Sequence, residues 1–346
     1  MNIEQPLSSP AAAPRAREGH AAARGRNGGP LKVLFFSQDG KLGDAVVNTA
    51  FVAALRRGAP DCEIHATVAG ATAAFWGKDE RLARVWTVQR PGWIETVRTA
   101  LAMRRERYDY IVTWQPLRKE KSRLMLRLAR PGKVIDLREF NVGPLQHKVE
   151  ACGAALDQMG VPYDSKLAYE IGMDACCEEI DAQLPAGPEV VLVNLFAADI
   201  ERTVPAGQAL ELLRGLHELL PQARLCLVCT DQTSAQAQAA LDASGAAGEL
   251  VNCEGNLSRL LRLCERADLM ISPDTALVHI ASAYDRAVIG IYQNNGVKAV
   301  QWGPRSRLHA RVLSNCPHSL TGFEVAEVLR EVRALRDQYR AGMLPD

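Results

Sequence analysis

The chain has 346 residues, of which 47% are hydrophobic, and this is enough apolar material for one large or two medium-sized globular domains. The formal net charge of +1 excludes a general attraction to nucleic acid and leaves local basic patches to bind anions. No apolar run is long enough to span a bilayer, and the nine cysteines show no disulfide spacing. We therefore expect a cytoplasmic protein with reduced cysteines and no nucleic-acid partner.

Residues 1–30 are rich in alanine, proline, glycine and arginine and lack the apolar segment of a secretory signal. This composition predicts a disordered N-terminal arm. Its arginines offer contact with an anionic surface, but a tail that only aids solubility is the simpler interpretation. These arginines are Arg15, Arg17, Arg24 and Arg26.

Strands and helices alternate over residues 31–165. The apolar run LKVLFFSQ predicts a first strand, and AVVNTAFVAALRRGAP has the apolar spacing of a helix. CEIHATVA, DYIVTW and KVIDL follow as strands, and WIETVRTALAMRRERY, KSRLMLRLA and HKVEACGAALDQMG follow as helices. This alternation predicts a parallel sheet with helices on both faces, which is the α/β doubly wound arrangement.

The alternation pauses over residues 166–188, where periodicity is weak and charges are frequent, and this segment is the predicted linker. It restarts with VVLVNLF and predicts a second doubly wound domain over residues 189–320, followed by a C-terminal helix within residues 321–346. Open α/β sheets bind ligands beyond the carboxyl ends of their strands. Two such domains in tandem therefore predict a site in the cleft between them.

One motif combines a strand, a turn and a helix in ISPDTALVHIASAYDRAVIGIY, residues 271–292. Asp274 or Thr275 can cap the helix, and the remaining backbone N–H groups can hold a phosphate. A helix end stabilises an anion by about 0.3–2 kcal/mol, which is too little for a diphosphate, so cations should assist. His279 lies four residues after Thr275, on the same helix face. The alternative is a plain capped helix in which His279 is a packed residue.

A second motif, SQDGKLGDAVVNTA, also opens a helix after a strand, with Asp44 at the helix start. Asp44 is either a helix cap or a general base toward a hydroxyl group in the cleft. Gly43 lets a backbone or an acceptor approach closely. The segment has no G-x-G-x-x-G pattern, so a dinucleotide-binding fingerprint is absent from it.

A third motif is the loop in NLFAADIERTVP. A strand ends near Asn194, and the loop carries Arg202, which is either a solvated side chain or a ligand of the same site as Asp274.

The cysteines do not predict a metal site. Cys226 and Cys229 form a C-x-x-C pair, but they lie on a predicted strand, where residues three apart point to opposite faces. No second pair is nearby, and we expect no bound metal.

Residues 117–133 hold seven basic side chains and one acid, beside an apolar stripe at helical spacing. This pattern suits a phosphorylated or membrane-embedded partner, and a solvated helix face is the alternative. The basic residues are Arg118, Lys119, Lys121, Arg123, Arg127, Arg130 and Lys133.

Three segments together, GKLGDAVVNTAFVAALRR, HKVEACGAALDQMG and ISPDTALVHIASAYDRAVIGIY, resemble the glycosyltransferase family 9 proteins. This family includes the ADP-heptose:lipopolysaccharide heptosyltransferases. The resemblance runs in register from about residue 31 to residue 340, and its most specific part is the Asp-Thr-x-x-x-His core.

The resemblance implies a GT-B fold of two Rossmann-like domains, of which the first binds the acceptor and the second the nucleotide-sugar. It implies an inverting reaction without metal or cofactor, with Asp44 as the catalytic base. It also implies an ADP-heptose donor and a lipopolysaccharide-core acceptor at the inner face of the cytoplasmic membrane. The donor diphosphate would contact Asp274, Thr275, Ala276, Leu277, His279, Arg202 and Asn194. On the acceptor side we place Lys41, Gly43, Arg118, Lys119 and Arg123.

The chain departs from the family pattern around the donor loop. Ala276 stands where the family commonly has glycine, NLF replaces Asn-Pro-Gly, and Val204 replaces the tryptophan before Pro205. The departures leave the fold prediction intact but bear on the identity of the donor. Two alternatives remain, a GT-B transferase or epimerase that uses a UDP-sugar and a non-catalytic nucleotide-sugar or glycan-binding protein.

Overall fold

A computed structural model of the protein describes residues 24–37, 40–88, 92–116, 119–140, 146–164, 166–184 and 187–340. Within these ranges the chain forms two parallel sheets, each covered by helices on both faces. The predicted doubly wound α/β arrangement is therefore confirmed. No helix among the described residues combines the length and the apolar character needed to cross a membrane.

The N-terminal half forms a five-stranded parallel sheet. Its strands are β1 (Lys32–Phe36), β2 (Glu63–Val68), β3 (Arg84–Thr87), β4 (Tyr110–Thr113) and β5 (Lys133–Asp136). They lie in the order β3-β2-β1-β4-β5, with Val33 of β1 paired to Ile64 on one side and to Tyr110 on the other. β-branched and aromatic residues dominate the central strands, as a sheet buried on both faces requires.

Helices cover both faces of this sheet. They are α1 (Leu42–Gly58), α2 (Thr72–Trp76), α3 (Trp93–Glu106), α4 (Glu120–Ala129) and α5 (Glu150–Met159), with a 3-10 turn at Leu137–Glu139. Successive strand residues point to opposite faces. Val33 and Phe35 accordingly pack with α1 and α5, whereas Leu34 and Phe36 pack with α3 and α4.

The C-terminal half forms a six-stranded parallel sheet. Its strands are β6 (Val190–Asn194), β7 (Arg224–Cys229), β8 (Gly248–Asn252), β9 (Leu269–Pro273), β10 (Ala287–Tyr292) and β11 (His309–Leu313). They lie in the order β11-β10-β9-β6-β7-β8. Its helices are α6 (Glu178–Gln183), α7 (Ala206–Leu219), α8 (Ser234–Ser244), α9 (Leu257–Arg266), α10 (Ala276–Ala283), α11 (Lys298–Gln301) and α12 (Val325–Arg340), with a 3-10 turn at Ile200–Arg202.

One apolar core runs through the contact between the two halves. Ala45 and Val46 of α1 belong to the same buried cluster as Val278 and Ala281 of α10. Tyr169, from the segment that joins the halves, is also buried in this cluster. The two sheets are therefore joined by packed side chains as well as by the connecting chain.

The segment predicted as a linker, residues 166–188, contacts both halves: the N–H of Glu170 donates to Thr49 of α1 at 3.0 Å, and the later part packs against the C-terminal half. Its helix α6 lies beside α9, where Arg259 pairs with Glu179 at 2.7 Å and Arg262 pairs with Asp181 at 2.7 Å. Weak apolar periodicity did not indicate this helix, because charge pairs rather than apolar contacts hold much of its outer face.

Part of the predicted N-terminal arm is folded. Residues 24–30 form a turn closed by a bridge between Arg24 and Pro30, and the backbone N–H of Arg26 donates to Asp109 at 2.9 Å. Ordered chain therefore starts before Leu31, earlier than the composition indicated. Residues 1–23 lie outside the described residues.

The cysteines follow the prediction from the sequence. All nine are free, and Cys226 and Cys229 face opposite sides of β7, one in each of the two cores that flank the sheet. Burial raises the pKa of the Cys226 thiol to about 12, so this thiol is protonated, and it donates to the Glu249 carboxylate at 3.6 Å.

Candidate active site

Two helices begin opposite each other at the centre of the cleft. α1 follows β1 and α10 follows β9, so both N-termini lie at the carboxyl edges of their sheets. Gly43 of α1 lies directly against α10. A Cβ atom built on Gly43 would stand 3.3 Å from Cδ2 of His279 and 3.4 Å from Cα of Ala276. The missing side chain therefore lets the two helix starts approach closely.

Asp44 lies in the first turn of α1 and is partly exposed. The preceding cap residue, Lys41, makes no side-chain capping bond. Asp44 thus lies where the free N–H groups and the dipole of the helix favour negative charge. Lys148 is its cationic neighbour: burial lowers the pKa of this lysine, and the carboxylate of Asp44 partly offsets that effect.

Lys148 is held between two indole rings. Its Nζ atom lies 5.1 Å from the ring centre of Trp114 and 5.9 Å from that of Trp302. The indole N–H of Trp114 donates to Asn48, one turn after Asp44, at 2.9 Å. The backbone N–H of Lys148 donates to the carbonyl of Gln301 at 3.1 Å. Both domains therefore contribute to the position of this ammonium group.

The start of α10 has the form of an anion-binding helix end. Thr275 is its cap residue but makes no side-chain capping bond. The hydroxyl group of Thr275 lies 2.9 Å from that of Ser272 and accepts from the Asn194 amide at 3.3 Å. Because this hydroxyl is hydrogen-bonded to Ser272 and Asn194, it does not cap the helix. The first N–H groups of α10 therefore remain for a ligand.

Three cations surround Asp274 beside this helix end. Arg202 donates to the backbone carbonyl of Asp274 at 2.9 Å and lies 3.5 Å from its carboxylate. Burial raises the pKa of Asp274, and the charges of Arg202, Lys298 and Lys41 act against that rise. The Nε–H of Arg202 is buried and makes no hydrogen bond within the described chain. The Nε atom of Arg202 also lies 3.9 Å from the carboxylate of Asp199, so three cations stand against two carboxylates and the net charge beside the turn is positive.

His279 lies in the contact between the domains and not at the mouth of the site. Its side chain is 3% exposed, and its ring lies 5.8 Å from Tyr169 and 6.1 Å from Trp302. Burial lowers its pKa to about 4, so the ring is neutral at neutral pH. This geometry does not supply the cation that the spacing from Thr275 suggested. It fits the alternative interpretation, in which His279 is a packed residue.

The other donor-side candidates differ in what they can contribute. Asn194 is buried, and its amide supports Ser272 and Thr275, so it orients the turn. The side chain of Leu277 is 7% exposed and belongs to the core, which leaves its backbone N–H as the available group. The methyl group of Ala276 would lie 3.7 Å from a Cβ on Gly43, so it faces α1.

The acceptor-side candidates fall in two places. Lys41 and Gly43 lie at the start of α1, and the charge of Lys41 acts on Asp274 across the cleft. Lys119 and Arg123 are exposed at the start of α4, on the opposite face of the N-terminal sheet from α1. Arg118 lies outside the described residues.

Two other features lie away from this site. Among the described residues, Glu63, His65 and Glu106 form the one cluster with the composition of a metal site. The ammonium of Lys32 lies 2.8 Å from Glu63 and 2.6 Å from Glu106, so a protein cation already neutralises these carboxylates. A cavity of about 410 Å³ opens at the amino edge of the C-terminal sheet, the edge opposite to Asp274.

Two doubly wound domains that face each other across a cleft are the arrangement of the GT-B class of glycosyltransferases. A family model described as Glycosyltransferase family 9 (heptosyltransferase) matches residues 130–321, which is more than half of the chain. The chain belongs to this family and is a glycosyltransferase. The family resemblance, the GT-B fold and the enzyme class expected from the sequence are thus confirmed.

Solved structures show the same fold at low sequence identity. Escherichia coli ADP-heptose LPS heptosyltransferase II has a TM-score of 0.69 at 16% identity, with 90% of this chain and 100% of that chain covered. The E. coli heptosyltransferase WaaC with ADP has a TM-score of 0.69 at 17% identity, with 88% and 100% covered. A family 9 glycosyltransferase from Veillonella parvula has a TM-score of 0.69 at 15% identity, with 88% and 97% covered. No curated protein sequence matches the chain.

The sequence did not indicate Lys148, Lys298, Trp114 or Trp302 as parts of the site. Lys148 lies in HKVEACGAALDQMG, one of the segments that carry the family resemblance, but nothing in that segment assigned it a role, and the four residues come from four separate segments. A basic residue after β10 and a tryptophan after β4 were the available signals, but only the packing of the two domains brings them to Asp44 and Asp274.

Proposed function

We propose that the enzyme transfers heptose from ADP-heptose to a hydroxyl group of a lipopolysaccharide-core acceptor, with inversion and without a metal. One observation carries this proposal. Asp44 lies on the helix whose start touches the start of α10, where Arg202, Lys298 and Lys41 surround the turn at Asp274. A general base and an anion site thus face the same space.

The arrangement supports a single displacement. The acceptor oxygen attacks the anomeric carbon of the donor, its proton passes to Asp44, and the bond from the anomeric carbon to the diphosphate oxygen breaks. Attack from the side opposite to the leaving group inverts the anomeric centre. The charge that grows on the diphosphate is stabilised by the N–H groups of α10 and by the three cations.

Protein cations suit a metal-independent reaction. A divalent metal commonly neutralises a departing diphosphate in transferases, and here Arg202, Lys298 and Lys41 can supply the equivalent positive charge. Arg202 in addition offers the unengaged Nε–H to an anionic oxygen.

The donor proposal draws on the family. The solved WaaC structures hold ADP and ADP-2-deoxy-2-fluoro heptose. We extend this donor class to the present chain because its Asp274-Thr275 turn is kept, although Ala276 replaces the glycine that commonly follows it. Its methyl group at Ala276 is directed toward Gly43, so it does not obstruct the helix end.

Isothermal titration without divalent metal tests the proposal. ADP should bind more tightly than AMP, because the second phosphate reaches the cations, and more tightly than UDP. Transfer from ADP-heptose to a lipopolysaccharide-core acceptor should then be measured directly. Tighter binding of UDP would favour a UDP-sugar enzyme. ADP binding with neither transfer nor donor hydrolysis would favour a nucleotide-sugar-binding protein.

A further inference from the structure

Helix α3 exposes large apolar side chains to solvent at its start. The exposed fractions are 52% for Trp93, 87% for Ile94 and 43% for Leu101. The positions i, i+1 and i+8 place them on one side of the helix. The other side, with Ala100 and Met103, is buried against the sheet. The helix therefore presents an apolar face in two directions, and only one of them is covered.

Helix α4 packs beside α3 and carries a stripe of basic residues. Its members repeat every three or four positions and are all exposed: Lys119, Arg123, Arg127 and Arg130. Within the described part of the chain, none of the four pairs with a carboxylate at salt-bridge distance. The ammonium of Lys121 lies 5.4 Å from the ring centre of Trp93, which joins the basic stripe to the apolar face.

We define the α3–α4 surface as Trp93, Ile94 and Leu101 together with Lys119, Lys121, Arg123, Arg127 and Arg130. Two exposed carboxylates, Glu95 and Glu120, lie within it, so its charge is five cations against two anions. The excess is positive although the whole chain is nearly neutral.

This surface borders the cleft. α3 follows β3 and α4 follows β4, so both begin at the carboxyl edge of the sheet, as α1 does. Trp114, directly after β4, contacts Asn48 in the cleft, and Lys119 follows five residues later at the start of α4.

We infer that the α3–α4 surface docks onto an anionic lipid bilayer, with Trp93 and Ile94 entering the interfacial layer and the basic stripe lying on the headgroups. Large apolar residues beside a basic face characterise interfacial helices, and tryptophan is favoured at the membrane–water boundary. Nucleic acid would be bound by the cations but would leave the isoleucine exposed. The inference goes beyond the proposed reaction, since it concerns where the enzyme works and not what it transfers.

Vesicle co-sedimentation of the full chain tests this inference, with phosphatidylcholine vesicles and with vesicles containing 30% phosphatidylglycerol, which are roughly in the range of anionic surfaces that attract basic segments. Wild type should bind the anionic vesicles at least about tenfold more tightly, and the difference should shrink as salt is raised. One double variant, Trp93→Ser with Ile94→Ser, removes the apolar component. A second double variant, Arg127→Glu with Arg130→Glu, reverses part of the basic stripe. Each should lose about tenfold or more in binding.

Matched controls change the same chemistry elsewhere. Tyr339→Ser removes an exposed aromatic ring that is 72% accessible on α12, and Arg214→Glu with Arg333→Glu reverses two exposed arginines. These controls should bind vesicles as wild type does. Equal losses in the controls, or wild-type binding in both α3–α4 variants, would overturn the inference, as would an absence of vesicle binding by wild type.

Melting temperature and ADP affinity show whether a variant has lost vesicle binding only because it is misfolded. Every variant should keep its melting temperature and its ADP affinity, because the substituted side chains are exposed and outside the nucleotide site. Tryptophan fluorescence should shift to the blue when anionic vesicles are added to wild type, and Trp93→Phe should remove that shift. If the proposed transferase function failed, ADP binding would fail while vesicle binding persisted, so the two failures are distinguishable.

Discussion

The backbone of Gly43 lies against the imidazole ring of His279, with only 3.3 Å between Cδ2 and the position of a Cβ on Gly43. Through this contact the helix that carries Asp44 meets the helix whose first turn forms the anion site. The spacing between the proposed base and the proposed diphosphate site therefore depends on a residue that has no side chain.

Gly43→Ala tests that dependence. In an exposed helix this change would stabilise by roughly 0.5–1 kcal/mol. Here the added methyl group would lie 3.3 Å from Cδ2 of His279, which is closer than ordinary contact, and at ordinary contact distance from Ala276, and overpacking costs about 1–3 kcal/mol. We expect lower turnover together with an unchanged or reduced free energy of unfolding, measured by steady-state kinetics and chemical denaturation.

The matched control adds Ala276→Gly to Gly43→Ala. Removing the methyl group from α10 returns part of the lost space, so the double variant should recover part of the turnover. A Gly43→Ala enzyme that is both more stable and fully active would show that the helices tolerate the wider spacing.

Asp44→Asn separates a structural role at the helix start from a base role. Asp44 is the third residue of α1 and not its cap, and the loss of its charge costs only about 0.3–1 kcal/mol of interaction with the helix dipole, so folding and ADP affinity should persist. Loss of a general base lowers kcat by roughly 10²–10⁴-fold, or about 3–5 kcal/mol of barrier. The exposed Asp61→Asn serves as the control for a change of one carboxylate. A well-folded Asp44→Asn enzyme with near-normal kcat would assign the base to another residue.

Arg202→Ala should weaken ADP binding by about 2–5 kcal/mol, because it removes a cation from the anion site and leaves Asp274 with less compensation. Titration calorimetry measures this change. Arg202→Lys should retain part of the affinity, and the exposed Arg214→Ala should retain all of it. Equal ADP affinity in Arg202→Ala and wild type would show that Arg202 only holds its loop in place, through its bond to the carbonyl of Asp274, and does not contact the ligand.

Lys148→Met keeps a long side chain between Trp114 and Trp302 and removes the charge beside Asp44. A carboxylate that loses a cationic neighbour holds its proton to higher pH. The acidic limb of the pH profile of kcat/KM should therefore move to higher pH, while Lys148→Arg should keep the wild-type profile. If the acidic limb of Lys148→Met stayed at the same pH as in wild type, Lys148 would have no influence on the proton transfer.

Lower pH should reduce the free energy of unfolding, because two histidines are buried in the contact between the domains. Burial lowers the pKa of His279 to about 4 and that of His147 to about 3, from an ordinary value of 6.5. The unfolded chain then binds more protons than the folded one below about pH 6.5, so stability is full above this pH and falls as the pH decreases. For each histidine the slope approaches about 1.4 kcal/mol per pH unit.

Chemical denaturation between pH 7.5 and pH 5 measures this slope. His279→Gln removes one titrating group and should flatten the dependence, whereas the exposed His318→Gln should leave it unchanged. Equal slopes in wild type and His279→Gln would show that the buried ring gains no protons on unfolding in this range.

The sequence predicted the central strands and long helices but missed β3, β8 and β11. All three are edge strands, and each has one neighbouring strand and only one buried residue, so their apolar patterns are weak. The short helices α2 and α11 were missed because four or five residues show no helical period.

At the site, the sequence indicated residues that follow a strand in a motif, such as Asp44, Asp274 and Arg202. It could not indicate Lys148 or Lys298, because their relevance arises from packing between distant segments. For His279 the helical spacing predicted the correct face of α10. It could not predict that Tyr169, from the connecting segment, covers this face.

The apolar contact between α1 and α10 also constrains how the enzyme can open. Any hinge motion that preserves this packed core turns about an axis near Gly43 and Ala276. Displacement grows with the length of the lever arm, so Asp44 and Asp274 would shift little, while α4, on the far face of the N-terminal sheet from α1, would travel further. Such a motion would admit substrates while Asp44 keeps its alignment with the start of α10.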